Sequence, residues 1–251
     1  MRIAVAGGTG VVGRHVVAVV EELGHDGISL SRSGGVDLLA GTGLDDHLEG
    51  VDAVIDVTSV QTMSARRSMD FFRTTTQHLV TAGRRCGVRH HVALSILGAA
   101  EAPFSYYAGK QVQEQLVLDQ PNGTIVRAAQ FHEFGGQTAA RTKAGPVHVI
   151  PSMLSQPVAA AEVASLLVDV ATQEPIGLGP SLAGPEVLRV AEMVRLLHEH
   201  EGRRSRVVEA PPPGASAGRC GTAPCSRTRT PGSGCCPSRA GWPDNPPDRN
   251  R

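Results

Sequence analysis

Met1-Arg2-Ile3-Ala4-Val5-Ala6-Gly7-Gly8-Thr9-Gly10-Val11-Val12-Gly13-Arg14-His15 is the stretch that decides how this chain of 251 residues folds. Ile3 to Ala6 form a short apolar run, of a length suited to a buried strand. Gly7, Gly10 and Gly13 recur at every third position, and Val16-Val17-Ala18-Val19-Val20-Glu21-Glu22 then continues as a helix up to Leu23-Gly24. Strand, glycine turn, helix is the arrangement that holds the pyrophosphate of a dinucleotide. Early glycines permit the tight turn and close backbone approach, and a later one lets the helix pack on the strand. The helix N-terminus adds free N–H groups and the positive end of its dipole. Glycine is common in the chain, at 29 residues, so the triplet gains its meaning from its place directly behind an apolar strand. Gly7, Thr9, Gly10, Val11, Val12 and Gly13 are the expected contacts of this loop with the cofactor.

The composition fits one large α/β domain or two small ones. Hydrophobic residues make up 41% and charged residues 19%, enough apolar material for a core. Net charge is zero and the pI is near 7.2, so no electrostatic footprint for nucleic acid or an anionic membrane surface is present. No apolar run approaches the roughly twenty residues that span a bilayer. The chain starts on a strand, without the basic and apolar regions of a signal peptide, and the expected location is the cytoplasm. Of five cysteines, Cys86 lies in a helical pattern and reads as a reduced thiol, whereas Cys220, Cys225, Cys235 and Cys236 lie near the C-terminus. Their spacing is not that of a zinc site, and no metal is expected.

Along the chain, strands and helices alternate. Gly27–Arg32 reads as a second strand, Ser33-Gly34-Gly35 as a turn, and Leu44–Leu48 as a short helix. Val51–Val57 is the next strand, followed by a long helix from about Ser64 to Cys86 that Gly87 closes. His91–Ile96, a helix over Tyr106–Leu118, and Gly123–Arg127 complete the series. Such alternation predicts a doubly wound parallel sheet of Rossmann type, with its ligand at the carboxyl ends of the strands.

Beyond Ala129 the pattern loosens. Phe131–Thr142 reads as helical, Val147–Pro151 as a short strand and Gln156–Val158 as extended. Ala160–Ala171 and Val187–His200 are amphipathic helices. These pieces are too few for a core of their own, so residues 129–208 are expected to form a substrate-side cap on a single cofactor-binding domain, 1–208. From Glu209 to Arg251 there is no Leu, Ile, Val, Met or Phe, and the stretch holds four of the five cysteines. It cannot bury enough apolar surface to offset its ordering entropy, so 209–251 is expected to be a disordered tail. A natural tail and a shifted reading frame in a GC-rich gene both fit such a composition.

Several phrases now converge on a family. Gly7-Gly8-Thr9-Gly10-Val11-Val12-Gly13 resembles the nucleotide loop of extended and atypical short-chain dehydrogenase/reductases, including the NmrA-like group. Arg89–Ser95, Tyr106-Tyr107-Ala108-Gly109-Lys110 and Arg127–Phe134 resemble later motifs of the same group, as do Gln156-Pro157-Val158 and Leu182–Glu186. The resemblance covers about residues 1–208. It departs from the family's pattern at Ala128, where proline is usual.

Cofactor choice follows from charge. An acidic residue after the second strand would bind ribose hydroxyls and repel a 2′-phosphate. Here the chain has Ser31-Arg32-Ser33, with no carboxylate until Asp37. A guanidinium pairs bidentately with phosphate and a serine hydroxyl can add a hydrogen bond, so NADP(H) is preferred and NAD(H) remains possible. The resemblance implies that Asp37 contacts the adenine, that Thr58 and Ser59 lie along the cofactor, and that Gln130 approaches the nicotinamide. It also implies catalytic roles for Ser95, Tyr106 and Lys110. In that chemistry the tyrosine donates a proton to a carbonyl as hydride arrives, the lysine lowers the phenol pKa and binds ribose, and the serine polarises the carbonyl. Positions four apart share a helix face, so Tyr106 and Lys110 can converge; Tyr107 competes for the tyrosine role. His90-His91 and His198-x-His200 read as ordinary surface or strand-end residues, because neither spacing converges on a metal.

The leading reading is an NADP(H)-dependent oxidoreductase acting on a small carbonyl or quinone-like compound. Its rivals are an NmrA-like sensor that binds NADP(H) without turnover, and an epimerase or isomerase using the same site. The partner is a small-molecule substrate; the sequence leaves these functions and the oligomeric state open.

Overall fold

The computed structural model describes residues 1–101, 105–145, 147–203 and 206–210. The apolar run at the N-terminus forms strand β1 (Arg2–Ala6), and the chain then turns into helix α1 (Gly13–Glu22) and returns as β2 (Asp26–Leu30). Arg32–Gly34 is a single 3-10 turn rather than the end of the strand. Helix α2 (Leu44–Leu48), strand β3 (Ala53–Asp56) and the long helix α3 (Ala65–Arg85) follow. Ser64 caps α3 by accepting the Arg67 N–H at 3.3 Å, and Arg84 and Arg85 sit at its negative end. Strand β4 (His90–Ile96), helix α4 (Ser105–Leu118) and strand β5 (Gly123–Ala128) close this half of the chain.

After β5 come α5 (Glu133–Arg141), β6 (Lys143–Ala144), β7 (Val147–Pro151), β8 (Leu154–Ser155) and α6 (Ala160–Ala171). The last elements are β9 (Gly177–Leu182), β10 (Leu188–Arg189), α7 (Val190–His200) and β11 (Arg206–Ala210). Six strands form one all-parallel sheet in the order β2-β1-β3-β4-β5-β9. Strand order reverses at β1, which pairs with β2 on one side and β3 on the other, and this is where a doubly wound sheet opens a crevice for a ligand.

Period-two alternation sorts the side chains. Ile3 and Val5 of β1 point with Ile55, Val92 and Val126 to the face covered by α1 and α6, where Val16, Val20, Val163 and Leu167 are fully buried. Ala4 and Ala6 point to the other face, against Leu44 and Leu48 of α2 and Leu79 and Ala82 of α3. Val117 of α4 completes that face over Ala93 and Ile125. Each fully buried aliphatic contributes about 1.5–3 kcal/mol, so both faces are held by burial on the scale of a whole domain's net stability.

Two expectations about the second half are corrected. Helix α6, read with the cap, packs on α1 and the central strands as part of the main core, and β9 extends the same sheet. The remaining elements do have a small core of their own: Ala139, Ile150, Val190, Met193 and Val194, with Phe134 and Val207 against it. They include a three-stranded sheet, β11-β7-β6, and the pair β10-β8. Strand β11 carries Glu209 and Ala210, the first two residues of the expected tail; residues 211–251 lie outside the described residues. Among the described residues no helix is long and apolar enough to cross a membrane.

Candidate functional site

The glycine turn lies on the reversal point of the sheet. Gly7 has φ +83°, which only glycine adopts without strain, and its carbonyl accepts the Gly10 N–H at 2.9 Å. A Cβ on Gly7 would come within 3.1 Å of the Val57 carbonyl oxygen and 3.2 Å of the Thr58 nitrogen, so the turn rests on the end of β3. A Cβ on Gly13 would meet the Gly7 oxygen and lie 2.6 Å from Gly8 Cα; one on Gly8 would meet Ser29 Oγ. Thr9 and Gly10 are exposed at the tip, Val11 is half-buried, and Val12 is buried at the start of α1. No side chain caps that helix and no acidic residue sits in its first turn, so its positive end is open to an anion.

At the end of β2, Arg32 is exposed and pairs with no carboxylate among the described residues. Ser31 Oγ and Ser33 Oγ share a hydrogen bond of 3.1 Å beside it. Asp37 is committed in part to its own loop, since Oδ1 accepts the N–H groups of Leu39 at 2.9 Å and Ala40 at 3.2 Å.

Helix α4 brings the remaining groups to the opposite wall. Ser105, immediately before Tyr106, has φ +54°, a left-handed conformation uncommon for a residue with a side chain; its hydroxyl donates to the Met63 carbonyl at 3.1 Å. Gly109 lets α4 lie directly on α3, because a Cβ there would meet Ser68 Oγ and Phe72. The Arg127 guanidinium of β5 grips Glu114 of α4 with two hydrogen bonds, 2.9 and 2.6 Å, fixing the helix against the sheet.

Tyr106 packs edge-on against Phe72, with ring centroids 5.5 Å apart, and its hydroxyl shares a hydrogen bond of 3.0 Å with Ser59 Oγ. Burial pushes the phenol up to about 12, and the Ser59 hydrogen bond pulls it the other way. Lys110, one turn on, points inward. Its Nζ donates to Gln113 Oε1 at 2.7 Å, to the Leu94 carbonyl at 2.9 Å and to the Thr58 carbonyl at 3.4 Å, and lies 4.3 Å from the centre of the Phe72 ring. Burial pushes its amine down to about 8, against the pull of Asp56 and Glu114.

The structure therefore joins Thr58, Ser59, Tyr106 and Lys110 at the mouth of the crevice beside the glycine turn. It does not join Ser95 to Tyr106: the Ser95 hydroxyl is buried with no partner, as is that of Thr58. Two unpaired buried hydroxyls and a backbone cradle in which Cβ atoms would clash fit a bound dinucleotide and its substrate. Gln130 instead bridges Tyr107 to the cap: Nε2 donates to the Tyr107 hydroxyl at 2.8 Å and Oε1 accepts from Ser155 of β8 at 2.9 Å.

Asp56, Gln113 and Ser155 escaped the sequence reading. Only Asp56 carried a signal, a carboxylate at the end of an otherwise apolar strand. Of the histidines, His90 and His91 do stand at a strand end and His200 is exposed, whereas His198 is buried rather than on the surface. His90 and His91 are buried at the start of β4, and His90 Nε2 lies 2.8 Å from Thr124 Oγ1. His198 is buried against His148, ring centroids 4.8 Å apart. Among the described residues no group of three or more His, Cys, Asp or Glu converges as a metal site would require.

Known proteins resemble the chain in both sequence and fold. Over 117 residues it is 31% identical to the photosystem II assembly factor Ycf39 of Synechocystis sp.; the match takes in 41% of this chain and 36% of that one. The chain thus spans little more than a third of the length of this curated relative. Among solved structures, MoeE5 in complex with UDP-glucose and NAD aligns with a TM-score of 0.67 at 18% identity, over 84% of this chain and 85% of that one. The UDP-N-acetylglucosamine 4-epimerase of Bacillus cereus aligns with a TM-score of 0.64 at 19% identity, with the same coverage of 84% and 85%. At these identities the likeness shows the fold. The family assignment comes from residues 3–163, which match the model of the NAD dependent epimerase/dehydratase family. That match runs from β1 into α6 and takes in the glycine turn, Thr58, Ser59, Tyr106 and Lys110: the chain belongs to this family of extended short-chain dehydrogenase/reductases.

Proposed function

We propose that this chain is an NADP(H)-linked oxidoreductase that reduces a small carbonyl or quinone-like compound. The observation that carries the reading is the position of Tyr106 and Lys110, one helical turn apart on α4, beside Thr58 and Ser59 and across from the glycine turn. Gly7 to Gly13 and the open N-terminus of α1 hold the pyrophosphate through backbone N–H groups. Arg32 and Ser31 take the 2′-phosphate, Asp37 borders the adenine, and Gln130 borders the nicotinamide. The cofactor supplies hydride. Tyr106 delivers a proton to the reduced oxygen, Ser95 donates a hydrogen bond to that oxygen, and Lys110 exchanges its long 3.4 Å bond to the Thr58 carbonyl for a ribose hydroxyl and keeps positive charge near the phenol.

One observation favours a second reading, a sensor that binds the cofactor without turnover. The Tyr106 phenol is held at about 12 and is engaged by Ser59, and the Lys110 ammonium faces main-chain carbonyls. A nucleotide-sugar epimerase is a third reading, in line with the fold neighbours. The test is anaerobic mixing with NADPH followed by a panel of quinones and small carbonyls, and separate incubation of UDP-sugars with the oxidised cofactor and chromatography of the product, because epimerisation returns its hydride and leaves nicotinamide absorbance unchanged. Loss of nicotinamide absorbance with a quinone or carbonyl supports the oxidoreductase. Tight binding with no turnover of any compound supports the sensor.

A further inference from the structure

Below the candidate site, three polar side chains with almost no exposure stand in line: Asp56, Gln113 and Lys110. Gln113 follows Lys110 by three residues on α4, so both lie on one face of the helix. Its Nε2 donates to Asp56 Oδ2 at 2.8 Å and its Oε1 accepts from Lys110 Nζ at 2.7 Å. The orientation of the amide follows from its neighbours, since an ammonium can only donate and a carboxylate can only accept. Asp56 is pinned in turn, because Oδ1 accepts the Thr58 N–H at 2.9 Å. With the Leu94 and Thr58 carbonyls, the ammonium has three acceptors for its three N–H bonds. Burying an ammonium, an amide and a carboxylate together is costly unless each is paired, and here the pairing runs as one chain from β3 to α4.

We propose that Gln113 and Asp56 are positioning residues for Lys110, forming a buried relay that fixes the direction of the ammonium and keeps it charged. The consequence for cofactor binding rests on the reading of Lys110 as a cofactor ligand. The groups around the amine oppose one another. Burial favours the neutral form, whereas Asp56 from β3 and Glu114 from α4 favour the charged one. Tyr106 shares the α4 face and stays protonated, the Phe72 ring of α3 presents its π-cloud, and His91 of β4 adjoins Asp56. Removing either Gln113 or Asp56 shifts this balance toward the neutral amine, so the ammonium gives up its proton at a lower pH.

The chain has only two lysines, Lys110 and Lys143, so the full-length protein made with lysine carrying carbon-13 at Cε gives two resonances, and Lys143→Arg assigns them. The Lys110 resonance should titrate near pH 8 in the wild type. Gln113→Met, similar in volume but without an acceptor, and Asp56→Asn, equal in size but uncharged, should each lower that midpoint by about one pH unit. Midpoints that stay within about 0.3 unit of the wild type in a folded variant overturn the relay. The two variants are independent, so one that fails to fold leaves the other to decide. NADPH affinity, followed over the same pH series, reads on Lys110 itself. If affinity falls along the alkaline limb at the NMR midpoint in every protein, both the relay and the ligand role hold. A shifted midpoint with pH-independent affinity keeps the relay and removes Lys110 from the cofactor site.

Discussion

Gly13 of α1 lies against the carbonyl oxygen of Gly7, with no room between helix and turn for even a methyl group. The neighbouring atoms are backbone, so they cannot swing aside as a flexible side chain would. Gly13→Ala must push α1 off the turn, and α1 also carries Val16 and Val20 into the main core. The expected result is a loss of about 2 kcal/mol or more in stability together with weakened NADPH binding, read by thermal unfolding and by cofactor fluorescence. An unchanged melting temperature would show that the turn is loosely packed.

Arg32 tests the choice of cofactor. It is exposed, unpaired with any carboxylate among the described residues, and carries no visible structural duty. Arg32→Ala should weaken NADPH binding by about 1–3 kcal/mol, the scale of a lost charged hydrogen bond, and leave NADH binding nearly unchanged. Equal losses for the two cofactors would point to damage at the end of β2 and would sink the assignment.

Lys110 makes a prediction about stability that needs no substrate. Burial holds its folded pKa at about 8, below the ordinary 10.5 of the unfolded chain. A group depressed in this way contributes stability that is fully present above the unfolded value and is lost as pH falls through the folded one. Between pH 8 and 10, unfolding takes up a proton at this site, so stability rises with pH there. Relative to Lys110→Met, the wild type should gain about 1 kcal/mol per pH unit over that window in urea unfolding. Parallel curves for the two proteins would mean that the amine is solvated.

How much of this was legible can be judged element by element. The glycine turn, the alternation through β5 and the Tyr106–Lys110 pair all depend on local patterns, and local patterns are what a sequence displays. Strand β9 was missed because Gly177-Leu178-Gly179-Pro180-Ser181-Leu182 has the composition of a loop; an edge position tolerates its proline, and Gly179 fits where the β5 register shifts. Helix α6 showed an apolar face but not which sheet would receive it. Gln113 drew no notice: Lys110 is only three residues away, but the Asp56 carboxylate that gives the contact its meaning is 57 residues away on β3. Long-range pairing of that kind leaves no mark on local periodicity.

Tyr106 separates enzyme from sensor. Its phenol is raised to about 12 chiefly by burial, and the Ser59 hydrogen bond opposes the rise. Ser59→Ala should therefore raise it further, measurable as tyrosinate absorbance in a Tyr107→Phe background where one tyrosine remains. Tyr106→Phe removes only the hydroxyl and leaves the ring against Phe72, so fold and NADPH affinity should stay nearly intact. If the phenol delivers the proton, carbonyl turnover should fall by about 10²–10⁴-fold. Quinone reduction is a weaker probe, because the proton can come from water; full quinone activity in Tyr106→Phe removes the acid role but keeps the enzyme. Lys110→Ala should do more than Tyr106→Phe, loosening NADPH as well as slowing chemistry. A wild-type protein that binds NADPH tightly and turns over no compound on the panel is a sensor, and Tyr106 is then a packed aromatic at the rim of its cofactor site.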